Sequence, residues 1–81
     1  MEIRQVQSFV HVARLGSFSR AAETMGYSQS AITVQIRLLE EELGTKLFDR
    51  MGKKVSLTPQ GKRFLEHASR ILYEMNRTIM A

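Results

Sequence analysis

Apolar positions recur three and four residues apart in four separate stretches of the chain, and the breaks between them fall at glycine or at a Thr-Pro pair. Ile3, Val6, Phe9, Val10 and Ala13 form the first stripe, which Gly16 stops. Phe18, Ala21, Ala22 and Met25 form the second, between the candidate cap Ser17 and Gly26. Ile32, Ile36, Leu39 and Leu43 mark the inward side of a third helix that runs over about 29–42, from the cap Ser28 towards Gly44. Past Leu47 the helical period gives way to a short alternation at Val55 and Leu57, with Gly52 between the two arms. That pattern predicts a β-hairpin wing at 49–56. Thr58 then caps and Pro59 takes the first helical position, where a missing N–H costs nothing.

These elements predict a mainly α fold, a winged helix-turn-helix of three helices plus a small hairpin, followed by a long C-terminal helix. Residues 1–58 form the winged domain and 59–81 the linker helix. The first helix is scaffold, because two short helices alone cannot enclose Phe18, Met25 and the inward side of the third. On the last helix, Leu65, Ala68, Leu72, Met75 and Ile79 follow the 3-4 spacing of a coiled-coil seam, while Phe64 and Ile71 lie to one side and anchor it to the domain. One chain covers only part of so much apolar surface, so the seam is read as a dimer contact. The pattern reaches Ala81 with no glycine or proline stop, which suggests a fragment cut within or just after this helix.

The second helix of such a pair can lie in the major groove of DNA if one face is free of the core. Gln29, Ser30, Thr33, Val34 and Arg37 fall outside the inward stripe, and no acid interrupts them. Their chemistry suits base edges: Gln pairs bidentately with adenine, Arg with guanine or a phosphate, and Val or the Thr methyl meets the thymine methyl. Glu40, Glu41 and Glu42 come in the last turns, where their charge would repel phosphate and tilt that end away from the duplex.

Ser17-Phe-Ser-Arg-Ala-Ala-Glu, Ser28-Gln-Ser-Ala-Ile-Thr-Val-Gln-Ile, Leu39-Glu-Glu-Glu-Leu-Gly-Thr-Lys-Leu-Phe-Asp-Arg and Leu57-Thr-Pro-Gln-Gly together resemble the amino-terminal part of LysR-type transcriptional regulators. The resemblance runs over nearly the whole chain. It implies a bacterial winged helix-turn-helix that binds double-stranded DNA as a homodimer through its linker helix, with a higher oligomer open for a full-length protein. It places Gln29, Ser30, Thr33, Val34 and Arg37 on the recognition helix, and Arg50 and Lys53 on the wing. Family members also carry a carboxy-terminal domain that binds a small-molecule inducer, and nothing here corresponds to it. The family often has proline where this chain has Ser30. The candidate DNA-contacting set is therefore Ser17, Ser28, Gln29, Ser30, Thr33, Val34, Arg37, Arg50, Lys53 and Lys54.

Charge sharpens this picture. The formal net charge is +4, but from Lys46 to Arg63 the bases Lys46, Arg50, Lys53, Lys54, Lys62 and Arg63 face only Asp49. A basic patch directly after a helix-turn-helix lies where a wing meets the phosphate backbone. With 81 residues, 43% of them hydrophobic, the chain suits one small domain that a dimer contact would help stabilise. The absence of cysteine excludes disulfides and cysteine-based zinc sites. No apolar run is long enough to span a bilayer and no basic segment leads into one, so a cytoplasmic protein without membrane attachment is expected. No cofactor or metal site is expected, and no catalysis: His11 and His67 have no nucleophile or acidic partner at a suggestive spacing. Two other readings stay open, a dimerising adaptor that docks its basic patch on an acidic protein, and another winged-helix repressor without a sensor domain.

Overall fold

Capping chemistry sets the boundaries of the first three helices. The computed structural model describes residues 1–50 and 54–80, in the order α1 (Ile3–Leu15), α2 (Phe18–Met25), α3 (Gln29–Leu43), β1 (Phe48–Asp49), β2 (Ser56–Leu57) and α4 (Pro59–Met80). Ser17 Oγ accepts from Arg20 N at 3.1 Å, and Ser28 Oγ accepts from Ala31 N at 3.1 Å. Each bond satisfies a donor that the opening turn of a helix leaves unpaired. At the other ends α2 and α3 stop on Gly26 and Gly44 at φ of 73° and 70°. Residues with a Cβ rarely adopt that left-handed conformation, so glycine terminates both helices sharply.

Packing follows from the stripes. Val6, Phe9, Val10, Phe18, Ala21, Ala22, Ile32, Ile36 and Leu39 are all buried. α1 lies against α2, α3 and α4, so its buried sector is wider than a single stripe and takes in Val12, Ser8 and Gln5 as well. Ser8 Oγ donates to Gln35 Oε1 on α3, which satisfies its hydroxyl in the interior. Three aromatic contacts close the centre: Phe9 lies 5.2 Å from Phe48 and 5.2 Å from Phe64 between ring centroids, and Phe48 lies 5.7 Å from Phe18.

The strands pair antiparallel, with Phe48 opposite Leu57 and Asp49 opposite Ser56. The return strand is shorter than the alternation predicts: Val55 precedes it, half-buried against the core with Leu57. The expected turn glycine, Gly52, lies outside the described residues. Thr58 bolts the base of the hairpin to α4. Its Oγ1 donates to Lys46 O at 2.7 Å and accepts from Gly61 N at 2.9 Å, while its own N–H donates to Leu47 O at 3.0 Å.

Three expectations about burial need correcting. Ile3 and Leu43 are exposed at 40% and 36%; the inward stripe of α3 ends at Leu39, and in its last turn Glu40 meets the returning chain instead. The seam on α4 is divided as well. Ala68 is fully buried, and Leu65 and Leu72 pack with Phe64 on the core of their own chain, because α4 lies along α1. Met75 is half-buried and Ile79 is 71% exposed, and Ile71 lines a shallow outer surface with His67, Arg70 and Glu74 rather than anchoring the helix to the domain. No helix among the described residues is long and apolar enough to cross a membrane.

Candidate nucleic-acid interface

The outward edge of α3 is held in place from both ends yet left free along its length. Ser28 caps the start and Ile32, Ile36 and Leu39 are fixed in the core, so the opposite edge is rigid by construction. Gln29, Ser30, Val34 and Arg37 are exposed, and Thr33 is half-buried. Two of these side chains have local commitments. Thr33 Oγ1 donates to Gln29 O at 3.1 Å, and Ser30 Oγ lies 3.2 Å from Ser28 Oγ. Arg37 Nε sits 3.7 Å from Glu41 Oε2, both side chains well exposed, a pairing weak enough for a competing partner to displace.

The wing brings basic groups to the same surface. A concavity between α3 and the hairpin is lined by Thr33, Arg37, Lys46, Asp49 and Arg50, among others. A second one, at the start of α2, is lined by Ser17, Ser19, Gln29, Arg50 and Lys54. Arg50 lines both and so joins them into one surface. Its guanidinium carbon stands 3.9 Å from the centroid of the Phe18 ring, an attraction between cation and ring face that holds the charge over the first turn of α2. Lys53 lies outside the described residues. Ser17, Gln29, Thr33, Arg37, Arg50 and Lys54 thus line one joined surface, and Ser28, Ser30 and Val34, which line neither concavity, are exposed at the start and along the first half of α3.

The three glutamates near the end of α3 are all engaged. Glu40 Oε2 accepts from Leu47 N at 2.8 Å and Phe48 N at 3.4 Å, Glu41 pairs with Arg37, and Glu42 pairs with the N-terminal ammonium at 2.7 Å. Sequence reasoning took them only as charge; the i to i+7 spacing of Glu40 to Leu47 across a glycine stop carries no recognised signal for a side-chain to backbone clip. Ser19 and Lys46, which also line the two concavities, were missed, although Lys46 stood in the basic patch.

No group of three or more His, Cys, Asp or Glu able to hold a metal occurs among the described residues. His11 Nδ1 lies 2.8 Å from Gln7 O, within its own helix, and His67 is exposed on α4. Neither touches the surface formed by α3 and the wing.

The model of the bacterial regulatory helix-turn-helix proteins of the lysR family matches residues 3–62. The chain is 46% identical over 78 residues to the HTH-type transcriptional regulator TfdT of Cupriavidus pinatubonensis, covering 96% of this chain and 34% of TfdT. It is 49% identical over 72 residues to the HTH-type transcriptional regulator BudR of Klebsiella aerogenes, covering 89% of this chain and 50% of BudR. Among solved structures it is similar to the BenM DBD in complex with catB site 1 DNA, with a TM-score of 0.95, 35% identity, and coverage of 99% of this chain and 89% of that one. It is also similar to the CbnR DBD in a DNA complex, with a TM-score of 0.91, 41% identity, and coverage of 96% and 90%. The chain spans half or less of the length of these curated relatives.

Proposed function

The chain belongs to the lysR family of bacterial regulatory helix-turn-helix proteins, and from that premise we propose that it binds double-stranded DNA sequence-specifically as the reading head of a transcriptional regulator. One observation carries the reading: the capped, core-anchored α3 leaves Gln29, Ser30, Val34 and Arg37 exposed, and through Gln29, Thr33 and Arg37 it lines the same concave surface as Arg50 and Lys54. With α3 in the major groove, Gln29, Ser30, Thr33, Val34 and Arg37 meet base edges. Ser17 and Ser28, at the two helix starts, meet phosphate, while Arg50, Lys53 and Lys54 follow the backbone or the minor groove. The similar BenM and CbnR domains, solved as DNA complexes, support this docking.

Pairing is the second part of the proposal. Ile71, Met75 and Ile79 recur every four residues on α4 and stay off the core, a stripe suited to the same helix of a second copy. A two-fold dimer would set two recognition helices roughly 34 Å apart on one face of the duplex, so the target is partly palindromic. The role is that of a regulator rather than an enzyme, in keeping with relatives that are transcriptional regulators. Any inducer would act through a domain outside this chain.

Selection of bound duplexes from random DNA tests the reading. Enrichment of one half-site motif, repeated at a fixed spacing and bound with an affinity that falls steeply with salt, is the expected result. Salt-sensitive retention with no enriched motif would instead fit an adaptor that carries a basic patch.

A further inference from the structure

Glu40 is an acid on the recognition helix, close to where phosphate is expected, yet its side chain is only 12% exposed. Its carboxylate is turned away from solvent into the base of the wing. Oε2 accepts from Leu47 N at 2.8 Å and from Phe48 N at 3.4 Å. Oε1 lies 3.8 Å from Lys46 Nζ, on a side chain that is 79% exposed. Resting on the DNA reading above, we infer that Glu40 is a positioning residue: it fixes the wing to the recognition helix so that base edges and backbone are engaged in one register.

The argument is geometric. Thr58 ties the hairpin to α4 through Lys46 O and Leu47 O, and Glu40 ties the same three-residue segment to α3 through the N–H groups of Leu47 and Phe48. The bond from Leu47 N, at 2.8 Å, has the short length of a charge-assisted contact, while that from Phe48 N is longer at 3.4 Å, so the clip holds chiefly at Leu47. Arg50 follows Phe48 by two residues, and the ladder from Phe48 to Leu57 and Asp49 to Ser56 carries the same constraint across to Ser56, two residues after Lys54. A shift at Leu47 therefore moves both wing cations relative to Gln29, Thr33 and Arg37. The lysine beside Oε1 offsets the charge that would otherwise face the duplex.

The test uses this chain and a duplex carrying the half-site recovered from random DNA, with the variants Glu40→Ala, Glu40→Gln and Lys54→Ala, alone and combined. Glu40→Ala is expected to weaken specific binding roughly tenfold, and Lys54→Ala, which costs roughly fivefold alone, is expected to cost less than about twofold in the Glu40→Ala background. The salt slope falls by about one with Lys54→Ala, by about one to two with Glu40→Ala, and no further in the double variant than in Glu40→Ala alone. Glu40→Gln, whose amide oxygen still accepts, restores most of the affinity. Ser8→Ala serves as the stability control: removing the buried hydroxyl that meets Gln35 lowers the melting temperature but leaves the cost of Lys54→Ala unchanged. If Glu40 acts only as a repelling charge, Glu40→Ala and Glu40→Gln both bind more tightly, and the inference is overturned. Strictly additive losses for Glu40→Ala and Lys54→Ala overturn it as well, with the DNA reading intact. A parent chain that enriches no sequence removes both together.

Discussion

Gly61 lies so close to the carbonyl of Leu47 that a Cβ at this position would collide with the carbonyl oxygen and stand 3.0 Å from its carbon, with Leu57 Cδ2 at 3.1 Å. The contact lets the first turn of α4 press directly onto the base of the wing, where Gly61 N also meets Thr58 Oγ1. The obstacle is backbone, not the flexible end of a side chain, so it cannot swing aside. Gly61→Ala is therefore expected to destabilise the fold by roughly 1–3 kcal/mol, despite the better helix propensity of alanine. Urea unfolding followed by circular dichroism measures it; a stabilised variant would mean that the hairpin does not rest on α4 in this way.

Phe9 is fully buried and touches both Phe48 and Phe64 at 5.2 Å between centroids, so it joins α1 to the wing strand and to the linker helix at once. Phe9→Ala removes a large side chain from a site lined on several sides and is expected to cost about 3–5 kcal/mol. That is a large share of what a domain this small can have, and the expected outcome is loss of the cooperative thermal transition near ambient temperature.

The fold was legible because its signals are local and redundant. Ser17 and Ser28 announce helix starts, Gly26 and Gly44 announce stops, and the stripes between them have the helical period, so each boundary has two independent markers. What escaped reading depends on contacts between distant segments. Periodicity shows that the Leu65, Ala68 and Leu72 face is apolar but not which neighbour covers it; here Ala68 is buried in its own chain and Leu65 and Leu72 are partly buried against the same core, with α4 packed on α1. Glu40 was misjudged for a related reason: a charge on a helix face looks solvated until the path of the next loop is known, and that loop brings two N–H groups to it. The candidate reading face of α3 was visible by subtraction, as what the core stripe left over.

Arg37 and Lys54 are expected to behave differently on DNA. Arg37 projects from α3 with only an exposed partner at 3.7 Å, so if α3 reads the major groove as proposed, Arg37→Ala should cost about 1–3 kcal/mol on the preferred site and relax preference at one base pair. Lys54 stands on the wing beside Ser17 and Arg50. Lys54→Ala should weaken all sequences nearly equally and reduce the salt slope by about one. Titrations of each variant against a panel of single-base substitutions at two salt concentrations separate these outcomes, and a sequence-dependent loss for Lys54→Ala would reverse the assignment of roles.

Pairing through α4 is tested at its most exposed apolar position. Ile79 is 71% exposed in the single chain, so Ile79→Asp disturbs no core contact and should leave the melting curve of the isolated protomer unchanged. In a two-helix seam, however, it places a charge opposite its own copy or against apolar Met75, and desolvating an unpaired carboxylate there is costly. The variant is expected to sediment as a monomer where the parent sediments as a dimer. On DNA the parent should gain at least about tenfold when a second half-site is added at the correct spacing, because the second contact becomes intramolecular. Ile79→Asp should lose that gain while keeping its affinity for a single half-site, whereas an equal gain in both proteins would show that the α4 stripe does not join two copies on DNA.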